Sequence, residues 1–127
     1  MRHLAIFIGD TAELILKGKK RIDLRISQKK IIPYHTISVG DEILLKKSGG
    51  DIVGKARASK VIFYDSFAKK DLEKIKNEYG KYILMSDDFW EVKSSAKYLT
   101  MIFLEAVERF VAPIKFRKKD LRSWVIV

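Results

Sequence analysis

The chain reads as an α+β protein in which strands dominate: a small β-barrel with a few short helices. Three observations carry this. Residues 20–26 alternate, with Ile22, Leu24 and Ile26 on one side and Arg21, Asp23 and Arg25 on the other, the period of two expected of a half-buried strand. Ser48-Gly49-Gly50-Asp51 separates two strand-like runs, Ile43 to Lys47 and Ile52 to about Tyr64, as a hairpin turn does. Lys69 to Tyr79 carries the helical period instead, with Leu72, Ile75 and Tyr79 on one face.

The remaining elements follow in order. Leu4 to Ile8 is an apolar run with the length of a buried strand. Asp10 or Thr11 can cap a short helix from Ala12 to Lys17, and Gly18 supplies its stop. The alternating segment comes next, with Lys20 at its entrance, where the turn after Gly18 can redirect that side chain. Ser38 to Glu42 is a turn into the next strand. Ser86 or Asp87 caps a short helix through Phe89, Trp90 and Val92. Tyr98 to Ala112 fits both periods, but its Thr, Ile, Val and Phe content favours a long strand, which Pro113 is expected to end. Trp124 to Val127 is a last apolar strand. Strands with short helices inserted between them suggest a closed or nearly closed sheet.

Charge is not spread evenly. From Lys17 to Lys30 there are seven cations (17, 19, 20, 21, 25, 29 and 30) against Asp23. From Lys115 to Arg122 there are five (115, 117, 118, 119 and 122) against Asp120. These two clusters account for the whole formal net charge of +10, so the rest of the chain is balanced. Clustering of this kind suits a polyanion or a phosphorylated ligand, although lysine runs also serve as solvated surface.

Composition narrows the chemistry. At 127 residues the length corresponds to one domain, 1–127, large enough for a real core. There is no cysteine, which excludes disulfides, thiolate metal sites and cysteine nucleophiles. With only His3 and His35, no dedicated zinc or transition-metal site and no cofactor is expected. No apolar stretch approaches the roughly 18 residues of a membrane span, and the N-terminal run lacks a signal-peptide cleavage pattern, so a cytoplasmic protein with no membrane partner is expected.

Gly18, Lys20, Asp23 and Arg25 match the pattern G-x-K-x-x-[E/D]-x-R. In this the chain resembles the ASCH domain family, within the PUA-like superfamily of small β-barrels. The flanking order is similar too: a strand and helix before the motif, a Val39-Gly40-Asp41 turn after it, a glycine-containing hairpin, and a strand-rich end at Arg122-Ser123-Trp124-Val125. The resemblance covers essentially the whole chain. It implies a PUA-like barrel with a cleft beside it that receives the motif's polar side chains, and it implies RNA binding, in some relatives of modified bases. Asp23 stands where Glu is common.

Within such a cleft, Arg25 offers a planar fork for a phosphate or a base edge, and Lys20 a mobile point charge. Asp23 can accept from an exocyclic amine or a ribose hydroxyl, or simply hold Arg25. Tyr34, after Pro33, is a candidate for base stacking or for rim packing. Trp90 and Trp124 read as core. Lys115, Arg117 and Lys119 share a parity and can follow a nucleic-acid backbone. Lys19, Arg21 and Arg122 add charge, Ser123 offers a hydroxyl, and Arg57 on the return strand faces either the cleft or solvent.

The favoured function is an RNA-binding module for single-stranded or modified-base RNA, without catalysis. The alternative is a hydrolase of the ASCH type. A ribonuclease would draw on Lys20, Tyr34 and Ser123. The resemblance also implies an amidohydrolase acting on N4-acetylcytidine, in which the motif lysine serves a threonine three residues later and a glutamate on a later strand. Here Asp23 takes the threonine position and the glutamate position falls near Arg57, so the nucleophile is lost and Asp23 is left as a base toward water. A nucleotide sensor and an acidic protein partner are further readings of the same charge. Only one Asn (Asn77) and one Gln (Gln28) occur, a usage resembling that of thermophile proteins. The expected consequence is a high melting temperature in calorimetry; a value near about 50 °C, within the mesophile range, would contradict it.

Overall fold

Asp23 and Arg25 point toward the inside of a curled sheet because Ile22 and Leu24, between and beside them, are claimed by helices on the outside. The computed structural model describes residues 1–93, 96–116 and 122–127. Its elements are β1 (Arg2–Phe7), α1 (Thr11–Leu16), β2 (Ile22–Ser27), β3 (Glu42–Lys47), β4 (Ile52–Asp65), α2 (Lys69–Ile83), α3 (Asp87–Lys93), β5 (Tyr98–Ile114) and β6 (Trp124–Ile126). The six strands form one sheet in the order β2-β5-β4-β3-β1-β6. Neighbours are antiparallel except β1 and β3, which run parallel from Arg2 opposite Glu42 to Phe7 opposite Lys47. The sheet curls into a half-barrel, giving the α+β architecture expected from the sequence.

Two large apolar clusters lie on the two faces of this sheet, with a smaller one around Leu4, Ile6 and Ile52. The inner one joins Phe7 of β1, Ile43 and Leu45 of β3, Ala58 of β4, Ile102 of β5 and Trp124 of β6, and α1 lays Ala12 and Ile15 onto it. The outer one packs Leu72, Ile75 and Ile83 of α2 and Trp90 of α3 against Ile22, Leu24, Leu99 and Met101. Met101 and Ile102 therefore face opposite ways, as the period of a strand requires. Each fully buried Ile or Leu contributes about 1.5–3 kcal/mol, so α2 is held by burial of its apolar face more than by helix propensity.

The inner cluster ends in a buried polar chain. Trp124 Nε1 donates to His3 Nδ1 at 3.0 Å. Because an indole N–H can only donate, the His3 proton sits on Nε2, which donates to Asp41 Oδ2 at 2.8 Å. Burial alone would raise the Asp41 carboxyl, but the His3 N–H and the Ser38 backbone N–H hold it below the ordinary range. His3 is thus a satisfied core residue that ties β6 and β1 to the turn before β3.

Two boundaries differ from the sequence expectation. Helix α2 continues past Tyr79 through Gly80 to Ile83, because Ile83 also finds a place in the outer core. Strand β5 does not end at Pro113 but runs to Ile114. Ile52 pairs with Ile114 while Gly54 pairs with Arg109, so residues 110–113 bulge out and Pro113 is not asked for a ladder N–H.

Gly54 marks where β4 is crossed most closely. A Cβ there would run into the Glu108 carbonyl oxygen and come within 2.7 Å of Leu16 Cδ2. Backbone on one side and a helix on the other leave little room to relax. Gly54→Ala is expected to cost about 1–3 kcal/mol, read as a lower urea midpoint with an unchanged slope; an unaltered midpoint would show that α1 and β5 yield freely.

Candidate functional site

The site begins at Gly18. Its φ of +76° is a backbone conformation that glycine adopts at little cost. After it the chain turns back on α1: the Gly18 N–H donates to Ile15 O at 3.0 Å, and the Lys19 and Lys20 N–H groups both donate to Leu14 O, at 2.9 and 3.0 Å. This reversal delays the strand to Ile22 and drives Lys20 inward, leaving it 2% exposed. Its Nζ donates to Ile83 O at 2.5 Å and lies 3.8 Å from Met85 Sδ. Ile83 is the last residue of α2, so its carbonyl lacks a helical partner and stands at the negative end of the helix dipole. Burial pushes the Lys20 ammonium below the ordinary lysine value; Asp23 opposes that shift and Arg25 adds to it.

Arg21 goes the other way. It is exposed, donates from Nε to Gly18 O at 3.2 Å and lies 5.8 Å from the Tyr82 ring centroid. The expected trio of Arg21, Asp23 and Arg25 is therefore replaced by Lys20, Asp23 and Arg25, because residue 21 belongs to the turn and not to the strand.

Asp23 and Arg25 form one unit. Arg25 Nε donates to Asp23 Oδ2 at 2.7 Å, with the aspartate side chain 7% and the arginine 17% exposed. Nη1 reaches Ser123 O and Nη2 reaches Ile6 O, both at 3.4 Å. The guanidinium also lies over the Phe7 and Trp124 rings, 4.9 and 5.1 Å from their centroids. Among the described residues these contacts occupy three of the five N–H donors of an arginine, and Asp23 Oδ1 has no hydrogen-bond partner there.

A cleft of about 860 Å³ opens over this unit. One wall is Lys20, Asp23 and Arg25; another is Lys46 with the turn Ser48 to Asp51; Lys115, Phe116, Arg122 and Ser123 form a third side, and Met85 and Phe89 reach in from the helical side. Among the described residues, Lys20, Arg25, Lys46, Lys115 and Arg122 line it against Asp23 and Asp51. Both basic clusters of the sequence thus contribute to one cavity.

The other residues singled out from the sequence lie elsewhere. Tyr34 is not beside the cleft: it is 8% exposed and packs against His35, Phe63 and Tyr98 at centroid distances of 4.6, 5.6 and 5.2 Å. Arg57 is exposed on β4, in register with Glu42 and Glu105, and Lys19 is exposed outside the cleft lining. Arg117 and Lys119 lie outside the described residues. Trp90 and Trp124 are buried at 7% and 2% exposure. Sequence reasoning passed over Lys46, Phe89 and Phe116. Lys46 is the next-to-last residue of a strand apolar on both faces, and nothing in a Lys-Lys pair beside a glycine turn signals that one of the two is buried. No described residues form a His, Asp or Glu cluster that could hold a metal, and no described helix is long and apolar enough to cross a membrane.

Lys20 makes a pH test available. Its folded-state pKa is depressed, so the unfolded chain binds more protons between that value and the ordinary lysine value, and stability rises with pH across the window. Wild type should therefore gain on Lys20→Met in urea denaturation as pH is raised from neutral toward 10.5. A difference that stays flat would show an unperturbed lysine.

No family model matches the sequence, and no curated protein matches it. Solved structures do match in shape. The ASCH protein from Zymomonas mobilis superposes with a TM-score of 0.76 at 14% identity, over 99% of this chain and 87% of that one. Hypothetical protein PH0355 matches at 24% identity and TM-score 0.52, over 87% of this chain and 100% of that one. The N-terminal domain of Staphylothermus marinus McrB matches at 17% identity and TM-score 0.50, over 90% and 76%. Identities this low speak for the fold and leave function to the site. The half-barrel sheet with its flanking helices, superposing on an ASCH protein over nearly its whole length, has the PUA-like fold of ASCH domains.

Proposed function

We propose that the chain is an RNA-binding module and that its basic cleft receives one nucleotide of a single-stranded segment. The observation that carries this is the convergence of both basic clusters on a single cavity. At about 860 Å³ it lies within the roughly 300–1,000 Å³ usual for small-molecule sites. Arg25 is tethered through Nε, Nη1 and Nη2, so it presents its remaining donors from a fixed plane. Asp23 Oδ1 accepts from an exocyclic amine or a ribose hydroxyl. Phe89 and Phe116, which line the cleft, provide the stacking faces in place of Tyr34, a contact worth about 1–3 kcal/mol per base. Lys115 and Arg122 hold the flanking phosphates, with Lys19 and Arg21 further out, and Arg117 and Lys119 belong to the same basic stretch of sequence.

One observation favours a ribonuclease as the second reading. Lys20 is buried with a depressed pKa in the same cleft as Ser123, and a lysine tuned downward can serve as a general base. The amidohydrolase reading has less to draw on, since Asp23 is already tied to Arg25 and Arg57 is on another surface.

Fluorescence anisotropy of a labelled single-stranded RNA tests the proposal. Wild-type affinity should fall with salt by about 0.7 log units per log of salt for each phosphate neutralised. Lys20→Met should weaken binding about tenfold, equivalent to about 1.4 kcal/mol. Lys115→Ala/Arg122→Ala should flatten the salt dependence. Equal, salt-insensitive binding by all three proteins would sink the proposal, and shortened RNA in the wild-type sample alone, absent with Lys20→Met, would move the assignment to ribonuclease.

A further inference from the structure

We propose that Lys46 is a second anion-binding group of the cleft, so that the ligand must carry a phosphate to be held fully: a nucleotide or an RNA phosphodiester, not a free nucleoside. The inference rests on the nucleotide-binding reading of the cleft and adds a residue outside its sequence motif.

Lys46 lines the cleft yet is only 5% exposed. Among the described residues its ammonium has one partner, the Lys47 carbonyl oxygen at 3.1 Å. It makes no ion pair there, while its more exposed neighbour Lys47 does, with Glu13 Oε1 at 3.4 Å. Half-buried Lys55 and exposed Lys76 are likewise paired, with Glu108 and Asp87. The arrangement is inverted relative to what stability alone favours. An exposed ammonium gains little from a carboxylate, whereas a buried one left unpaired is strongly disfavoured. A methionine would fill the same space without that cost. An ammonium kept in this state and directed to a cavity points to an anion that arrives from outside.

The backbone positions it firmly. Lys46 lies opposite Ile6 of β1 and Ile52 of β4, in the interior of the sheet, beside the register shift at which β4 passes from Gly54 to Ile52. Lys20 comes from the turn before β2, which is separated from β3 by two strands in the sheet order. The curl brings these two buried ammonium groups to different walls of one cleft. Two separated cations suit a ligand with a phosphate beside the inserted nucleoside, and an ammonium on a flexible stem suits phosphate as a point charge.

The test uses fluorescein-labelled oligouridylate, with uridine and uridine monophosphate as competitors, against wild type, Lys46→Met and Lys46→Arg. In wild type the monophosphate should compete at least tenfold better than uridine. Lys46→Met should abolish that preference, weaken oligouridylate binding about tenfold and lower the salt slope by about 0.7, the value of one phosphate on a single strand. Lys46→Arg should retain most of the preference. Without ligand, Lys46→Met should melt above wild type, since it removes a buried unpaired charge, and this also reports that the variant is folded. If wild type and Lys46→Met bind oligouridylate with the same affinity and slope, the role of Lys46 is refuted while the cleft proposal stands. If wild type binds no oligouridylate, both fall.

Discussion

The guanidinium of Arg25 is the contact on which site and fold both depend. A curled sheet that stops short of closure has two edges, here β2 and β6, and unpaired edges must be managed. Arg25 spans them. From β2 it donates to Asp23 on its own strand, to Ile6 O of β1 and to Ser123 O just before β6. The charge-assisted bond to Asp23 is worth about 1.5–3 kcal/mol. The two longer contacts contribute less singly, but the one to Ser123 O connects parts of the chain almost a hundred residues apart. The Phe7 and Trp124 rings beneath the guanidinium add about 0.5–2 kcal/mol for a partly desolvated cation over an aromatic face.

From that seam the constraint passes inward. Trp124, under Arg25, donates its indole N–H to His3 Nδ1, and His3 Nε2–H donates to Asp41 Oδ2. The floor of the cleft is thereby connected to the far end of the half-barrel through buried, fully partnered polar groups. Such networks specify geometry well when every member is satisfied, and no described buried side-chain N or O atom lacks a partner. Arg25 is therefore a structural residue that also lines the cleft.

The lysines behave differently. Lys20 is accommodated by the C-terminal carbonyl of α2, so the helix that covers the apolar face of β2 also stabilises the cation on the opposite side. Among the described residues Lys46 has only its neighbour's carbonyl. Lys20 is held in a position that solvation disfavours, and such positions cluster where a protein gives up stability for function.

The local pattern of the sequence was sufficient for the elements and for the content of the motif. Alternation at 22–26, the helical period at 69–79 and the glycine turn at 49–50 depend on neighbours within a few residues, and each appears in the structure within a few positions. Gly18, Lys20, Asp23 and Arg25 were legible for the same reason. What tertiary structure decided was which side chains meet. Strand parity put Arg21 with Asp23 and Arg25, but the reversal at Gly18 delivered Lys20 instead. Tyr34 read either as a stacking face or as rim packing, and aromatic neighbours from β4 and β5 decided for packing. Lys46, Phe89 and Phe116 joined the cleft only because the sheet curls and α3 folds back toward β2. Secondary structure follows from short-range periodicity and backbone sterics, whereas a cavity is made by contacts between distant segments, and no short window of sequence contains both sides of such a contact.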